Sequence, residues 1–461
     1  MPSDPLTGKR VVVIGLARQG TAAAKFLAGV GARVAATDIR PADQLADALR
    51  DLDGLPNVTF VLGEHPLSLL DGADAVCLSG GVPLDLPLVQ EAVRRGIPLT
   101  NDAQLFLERC PCHAIGITGS AGKTTTTALV GAMCEAAGLL PWVGGNIGNP
   151  LLGDLPHIRP DDIAVLELSS FQTEIMTVSP HIAAILNITP NHLDRHGTME
   201  AYVEAKARLL DHQIAGDVAV LGHDDPHAAA LEARCQAEVA LFSGRVPVDV
   251  GAWLVNDLLV CRPKFTLPME RVCTTRDLNL RGFHNVMNTL AACAIAGAAG
   301  VPIPAMAAAI HAFQPVEHRL EVVAEVDGVT YVNDSIATAP ERVIAALEAY
   351  SGDRIVLLLG GRDKKLPWDD LLRLALERVR AIITFGEAGL MIATQAARLR
   401  AELGTHTPIE QVSGLKDGVR LASRLADPGD VVLLSPGCTS FDAYPDFAAR
   451  GEHFRELVRG L

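Results

Sequence analysis

The chain alternates short, unbroken apolar runs with longer stretches in which apolar residues recur at helical spacing. Lys9-Arg10 lead into VVVI and a glycine-bearing turn, GLARQG (15–20), after which TAAAKFLAGVGA (21–32) reads as a helix. The next apolar runs are ARVAATD (32–38) and ADAVCLSGG (73–81). Strands that are apolar at nearly every position are covered on both faces, so this is a βαβ series on a parallel sheet. The pattern restarts at HAIGITGS (113–120) and continues through DDIAVLELSS (161–170) and HIAAILNITP (181–190). It restarts again at VTYVNDS (329–335) and runs through RIVLLLGG (354–361), AIITFGEA (381–388) and DVVLLSPG (430–437). The expected fold class is therefore α/β, with three consecutive α/β domains at 1–101, 102–315 and 316–461; 461 residues exceed what one core accommodates.

Composition narrows the function classes. The formal charge is −15, so the surface as a whole repels nucleic acid and anionic membranes, and neither is an expected partner. Anionic substrates must be held by local devices such as helix N-termini and single cations. The nine cysteines are scattered, the closest pair being Cys110-Pro-Cys112, and spell neither a disulfide framework nor a C-x-x-C zinc pattern. Reduced thiols in a cytoplasm are expected, and the polar start shows no signal peptide. The stretch from Asn285 to Phe313 has no Asp, Glu, Lys or Arg, but Gly300-Val301-Pro302-Ile303-Pro304 interrupts it. It reads as two buried helices split by a turn, not as a membrane span.

The densest chemistry lies in GITGSAGKTTTT (116–127). An apolar strand enters a Gly-rich turn and a helix follows, which is the setting of a phosphate-binding loop. Ile117 stands where the common G-x-x-x-x-G-K-[ST] pattern has its first glycine. Gly119, Ser120, Ala121 and Gly122 would form the loop, Lys123 would reach the β- and γ-phosphates, and the Thr124 hydroxyl would hold Mg²⁺, with Thr125 following. A metal acid is expected at the end of a neighbouring strand, and Glu167 in IAVLELSS fits. GLARQG with Asp38 imitates a dinucleotide fingerprint, although Ala17 replaces its second glycine, so a dehydrogenase reading stays open on the residues alone.

TGSAGKT, GGNIG (144–148), ELSSFQ (167–172), NHLDRHG (191–197), the YVEAKARL helix, GFHNVMN (282–288), EHRLE (317–321), VNDSIAT (332–338) and LLSPGCTSFD (433–442) occur in that order. Together they resemble the Mur (muramyl) ligase superfamily, whose loop is spelled T-G-x-x-G-K-[ST], over essentially the whole chain. The resemblance implies a Rossmann-like UDP-binding domain, a P-loop ATP-binding domain and a Rossmann-like C-terminal domain. It also implies ATP and two Mg²⁺ ions. Lys123, Thr124 and Glu167 match phosphate and metal positions, and His192 a metal-ligand histidine. Lys206 matches a lysine that the family carbamylates to N6-carboxylysine. An ammonium beside Mg²⁺ would be repelled, whereas a carbamate is anionic and needs a neutral amine to form. Asn285 and Asn288 match the adenine-side motif, and His318, Arg319 and Asp334 match third-domain residues that close over the nucleotide. Arg18, Gln19, Asp38, Gly81, Asn146 and Ser169, with His192, become UDP-substrate contacts. Thr338, Lys364, Ser440 and Phe447 match the amino-acid site.

Within that superfamily the likeness is to enzymes that add D-glutamate to UDP-N-acetylmuramoyl-L-alanine through an acyl phosphate. The expectation is thus a cytoplasmic, monomeric ligase of peptidoglycan precursor synthesis, serving cell wall biogenesis, cell shape and division. One departure stands out: Ile336 occupies the place of a lysine in N-D-S-K-A-T. Lys364, Lys365, Arg342 or Arg362 are the cations that could compensate; Ile336 either packs under a repositioned loop or alters amino-acid recognition. An L-glutamate-adding variant, a folylpolyglutamate synthase-type ligase and a non-catalytic ATP-binding module are the competing readings.

Overall fold

The structure is a computed structural model that describes residues 4–146, 148–279, 282–314, 317–350, 353–364 and 366–461. Among them the backbone forms three sheets. In the first, β1 (Arg10–Ile14), β2 (Arg33–Asp38), β3 (Val58–Leu62), β4 (Ala75–Leu78) and β5 (Leu99–Thr100) lie in the order β3-β2-β1-β4-β5, all parallel. The order reverses beside β1, and in open α/β sheets such a switch point marks the binding crevice.

The second sheet contains β6 (His113–Thr118), β7 (Pro141–Gly145), β8 (Ile163–Glu167), β9 (Ile182–Ile185), β10 (Val218–Gly222), β11 (Glu238–Ser243), β12 (Gly251–Val255), β13 (Leu258–Arg262) and β14 (Glu270–Thr274). Its order is β14-β13-β12-β11-β10-β9-β6-β8-β7, parallel from β7 to β12 and antiparallel through β13 and β14. β6 therefore sits between β9 and β8, buried except at His113, as its unbroken apolar run predicts. The helix Lys123–Ala136 follows it after a four-residue loop.

These two sheets belong to one compact unit, Met1–Leu278 with Asn285–Phe313. A shared apolar cluster runs from Val11 and Leu27 of the first sheet layer to Leu166 and Ile185 of the second. The charge-free stretch forms helices Phe283–Ala298 and Ile303–Ala312, split by the expected turn. No described helix is long and apolar enough to cross a membrane.

The other compact unit is Asn279–His284 with Gln314–Leu461. Its sheet comprises β15 (Glu321–Val326), β16 (Val329–Asn333), β17 (Ile355–Gly360), β18 (Ala381–Phe385), β19 (Ile409–Gln411) and β20 (Val431–Gly437). The order is β15-β16-β20-β17-β18-β19, parallel but for the antiparallel edge strand β15. Three α/β sheet domains, each dominated by parallel pairing, is the fold class that the hydrophobic pattern predicts. β20 and β17 are buried at every residue.

Candidate active site

The loop after β6 needs glycine for two separate reasons. Gly122 has φ +85°, and a Cβ there would stand 2.1 Å from Asn288 Oδ1. A Cβ on Gly119 would stand 2.9 Å from the Leu186 Cβ atom. The first requirement is conformational and the second is close approach. Asn187 clasps the loop from the end of β9: its Oδ1 accepts from Ala121 N at 2.9 Å, its Nδ2 donates to Ala121 O at 3.1 Å, and its carbonyl accepts from Ser120 N at 2.9 Å. The Ser120 hydroxyl donates to Thr189 O at 2.9 Å and lies 3.0 Å from the Tyr202 hydroxyl. Lys123 Nζ donates back to Gly119 O at 2.8 Å, so its amine lies over the loop.

Glu167 ends β8 beside β6 and is 2% exposed. The Thr124 hydroxyl donates to Glu167 Oε2 at 2.8 Å and Asn146 Nδ2 donates to Oε1 at 3.0 Å. In turn Arg18 Nη2 donates to Asn146 O at 2.8 Å. Residues from the first sheet's leading helix, the loop after β7, the end of β8 and the phosphate-loop helix thus share one hydrogen-bonded line, Arg18–Asn146–Glu167–Thr124. It joins candidates that the sequence divides between a UDP group and an ATP group.

Lys206 comes from the helix Met199–Ala207 and is 1% exposed. Its Nζ donates to Gly119 O at 3.1 Å and faces the Tyr202 ring at 4.6 Å. Burial drives this amine well below the ordinary lysine range, and the Lys123 ammonium pushes the same way against the pull of Glu167. A downward shift favours the neutral amine, which is the form that reacts with carbon dioxide. His192, exposed and at φ +56°, sets its ring edge-on to Phe171 with centroids 5.1 Å apart. Thr125 is buried on the inner face of its helix. Asn285 and Asn288 are also buried, and Asn288 Nδ2 donates to Asn285 Oδ1 at 3.0 Å.

On the first sheet Asp38 accepts from Leu16 N at 2.7 Å and from the Arg40 side chain at 2.8 and 3.0 Å. Burial alone would raise its carboxyl, but those donors hold it down at about 2. Asp38 therefore fastens the GLARQG turn, whatever else it contacts. Gln19 packs under Gly80, with Nε2 buried and lacking a hydrogen-bond partner. Gly81 O accepts from Arg195 Nη1 at 3.2 Å. Ser169 caps the short helix Ser170–Thr173 in a reciprocal box with Gln172.

In the C-terminal unit Lys364 Nζ donates to Thr338 Oγ1 at 3.0 Å. Burial lowers its amine, with Arg342 adding to the effect. Ile336 is half-buried and its carbonyl accepts from Arg342 Nη1 at 3.2 Å. Two of the candidate compensating cations thus lie in the Ile336 neighbourhood; Arg362 instead pairs with Glu387 at 2.9 Å, and Lys365 lies outside the described residues. Ser440 is buried and Phe447 starts the last helix. His318, buried at φ +62°, lies 3.0 Å from Asn333 Nδ2. Asp334 accepts from Ser435 Oγ at 2.7 Å, and burial raises its carboxyl to about 7 despite that bond and Arg319.

Three domain patterns match this chain in order: "Mur ligase MurD-like, N-terminal domain" over residues 9–101, "Mur ligase middle domain" over 117–296, and "Mur ligase, glutamate ligase domain" over 318–438. Over 458 residues the chain is 42% identical to the UDP-N-acetylmuramoylalanine–D-glutamate ligase of Pelotomaculum thermopropionicum, covering 99% of this chain and 98% of that one. The chain belongs to the Mur ligase family. The enzyme of the same name from Symbiobacterium thermophilum is 40% identical over 457 residues, 98% of each chain. The solved MurF ligase of Thermotoga maritima in complex with ADP shares the fold at a TM-score of 0.58 and 18% identity, covering 99% of this chain and 100% of that one.

Several Mur ligase residues escaped sequence reasoning. Asn187 and Tyr202 fasten the phosphate loop; Tyr202 lies in the YVEAKARL helix, where Lys206 drew the attention, and Asn187 in HIAAILNITP, which reads only as a strand. Asn101 Nδ2 donates to Gln172 O at 2.8 Å, and Gln172 Nε2 donates to the buried Asp102 carboxylate at 3.1 and 3.2 Å, tying the segment after β5 to the helix after β8. Arg450 is fully buried and donates to Ser335 Oγ and O, Cys438 O and Thr439 O, binding the VNDS and GCTS loops together. An arginine in a helical ARGEHF pattern offers no signal of such burial.

Proposed function

We propose that this Mur ligase uses ATP to join D-glutamate to UDP-N-acetylmuramoyl-L-alanine, releasing ADP and phosphate. The observation that carries the reading is the line Arg18–Asn146–Glu167–Thr124, which runs from the UDP-side candidates to the phosphate loop within one compact unit. The names of the full-length relatives supply the amino acid and the acceptor.

The chemistry follows from the charges. A carboxylate oxygen of the alanyl substrate attacks the γ-phosphorus of ATP, the bond to the β-phosphate oxygen breaks, and an acyl phosphate forms. The glutamate amine then attacks the acyl carbon, loses a proton and expels phosphate. Bringing two anions together is the main obstacle, so positioned positive charge is the main contribution. Loop N–H groups at the start of helix Lys123–Ala136 and the Lys123 amine receive the phosphates. Thr124, Glu167 and His192 are the residues that would hold Mg²⁺, together with Lys206 as its carbamate; the hydroxyl–carboxylate pair at 2.8 Å is a donor set suited to a hard cation. That ion supplies charge neutralisation. Asn285 and Asn288 face the adenine side. Thr338, Lys364, Ser440 and Phe447 hold glutamate, with Arg342 and Lys364 serving where Ile336 removes a lysine.

The test is positional isotope transfer. With heavy oxygen in the alanyl carboxylate, the acyl-phosphate route puts one labelled oxygen into each inorganic phosphate released. Turnover with unlabelled phosphate overturns the mechanism.

A further inference from the structure

The ligation makes no use of cysteine. Seven of the nine cysteines are buried, and Cys110 and Cys235 are half-buried. Cys235 is engaged with the Leu231 carbonyl at 3.4 Å, and burial pushes its thiol up to about 11. Cys110 is different, because its Sγ lies 3.4 Å from that of Cys112, which is 3% exposed.

The fold imposes this contact. Cys110 N donates to Phe106 O at 2.8 Å, anchoring it to the end of helix Asp102–Leu107. Cys112 belongs to the apolar core and directly precedes β6. Pro111 between them restricts the backbone. The neighbouring cation is otherwise committed: Arg109 is paired with Asp4 at 2.7 Å and lies over the Phe26 ring. The hydrogen bond between the two thiols is what pulls the Cys110 thiol down, while the same bond and burial push Cys112 up. A thiol with a partner in contact and partial solvent access is the arrangement of a reactive dithiol.

We propose that Cys110-Pro-Cys112 is a dithiol site that exchanges with low-molecular-weight disulfides, Cys110 serving as the entry thiol and Cys112 as the resolving thiol. The Cys110 thiolate attacks one sulfur of the reagent disulfide, forming a mixed disulfide and expelling one thiolate, which takes a proton from solvent. Cys112 gives its proton to solvent and attacks Cys110 Sγ, expelling the second thiolate. The protein dithiol loses two electrons and the reagent becomes two thiols. Closing the sulfurs from 3.4 Å to a bond of about 2.05 Å is a side-chain movement, and so small a ring yields a disulfide that is readily reduced.

The probe is oxidised glutathione on the full-length native protein, read by intact mass and peptide mapping. Wild type should lose the mass of two hydrogens, reversibly with dithiothreitol, through a Cys110–Cys112 bond. Cys112→Ser should instead accumulate one glutathionyl group on Cys110, and Cys110→Ser should take up none at Cys112. A wild-type protein that keeps both thiols, or a stable adduct on Cys112 in Cys110→Ser, overturns the proposal. Because wild type is tested first, a variant that fails to fold leaves the decision intact. Ligase activity is not a readout, so the outcome is independent of the proposed reaction.

Discussion

Replacing Thr124 by valine removes one hydroxyl with little change in volume, and the structure says what that hydroxyl does. Glu167 is 2% exposed, with one carboxylate oxygen held by Thr124 at 2.8 Å and the other by Asn146 at 3.0 Å. A hydrogen bond to a charged group contributes about 1.5–3 kcal/mol, and its loss leaves part of a buried carboxylate unpartnered. The nucleotide-free Thr124→Val protein should therefore lose about 2 kcal/mol of stability in the unit that carries the site, as urea denaturation would show. The same hydroxyl is assigned to the metal, so affinity for ATP with Mg²⁺ should fall by about tenfold or more, since 1.4 kcal/mol is a factor of ten. Thr124→Ser should restore both quantities. A valine variant that unfolds at the wild-type urea concentration and binds the nucleotide equally well would refute the hydroxyl–carboxylate reasoning.

Gly122→Ala adds a Cβ 2.1 Å from the buried Asn288 side chain at a left-handed φ, so phosphate release should fall by roughly 100-fold, from the backbone cost of about 1–2 kcal/mol and the displaced asparagine; near-normal turnover would contradict the loop geometry. Lys206→Ala should abolish turnover, and short carboxylates added to the assay should restore part of it, a supplied anion taking the place of the proposed carbamate. Asp102, 1% exposed, has its carboxyl raised by burial to about 6 from 3.8, so the folded state holds a proton that the unfolded chain releases. The stability this contributes is full below about pH 4 and is lost as pH rises through about 6, up to about 3 kcal/mol in all. Urea denaturation across that window should show Asp102→Asn losing less stability with rising pH than wild type; parallel curves would refute the assignment.

Local order made much of the fold legible. β6, β8 and β9 are apolar at nearly every position because both faces are covered, and the charge-free 285–313 stretch carried its own turn at Gly300–Pro302. The phosphate loop was legible for the same reason, since strand, turn and helix are contiguous. The contacts that assemble the site were not. Arg18 and Asn146 are 128 positions apart, and Asn187 reaches Ala121 across 66. Such pairs depend on which strands become neighbours, and the order β9-β6-β8 is written in no single segment. The burial of Lys206 and Arg450 was equally hidden, because a charged residue on a helix ordinarily faces water.

The most direct test supplies the purified protein with ATP, Mg²⁺ and UDP-N-acetylmuramoyl-L-alanine and follows phosphate release with D-glutamate and L-glutamate in parallel. Turnover is expected with D-glutamate alone, Arg342 and Lys364 standing in for the cation that Ile336 removes. Turnover with L-glutamate alone would overturn the stereochemistry, and silence with both would contradict the ligase assignment itself.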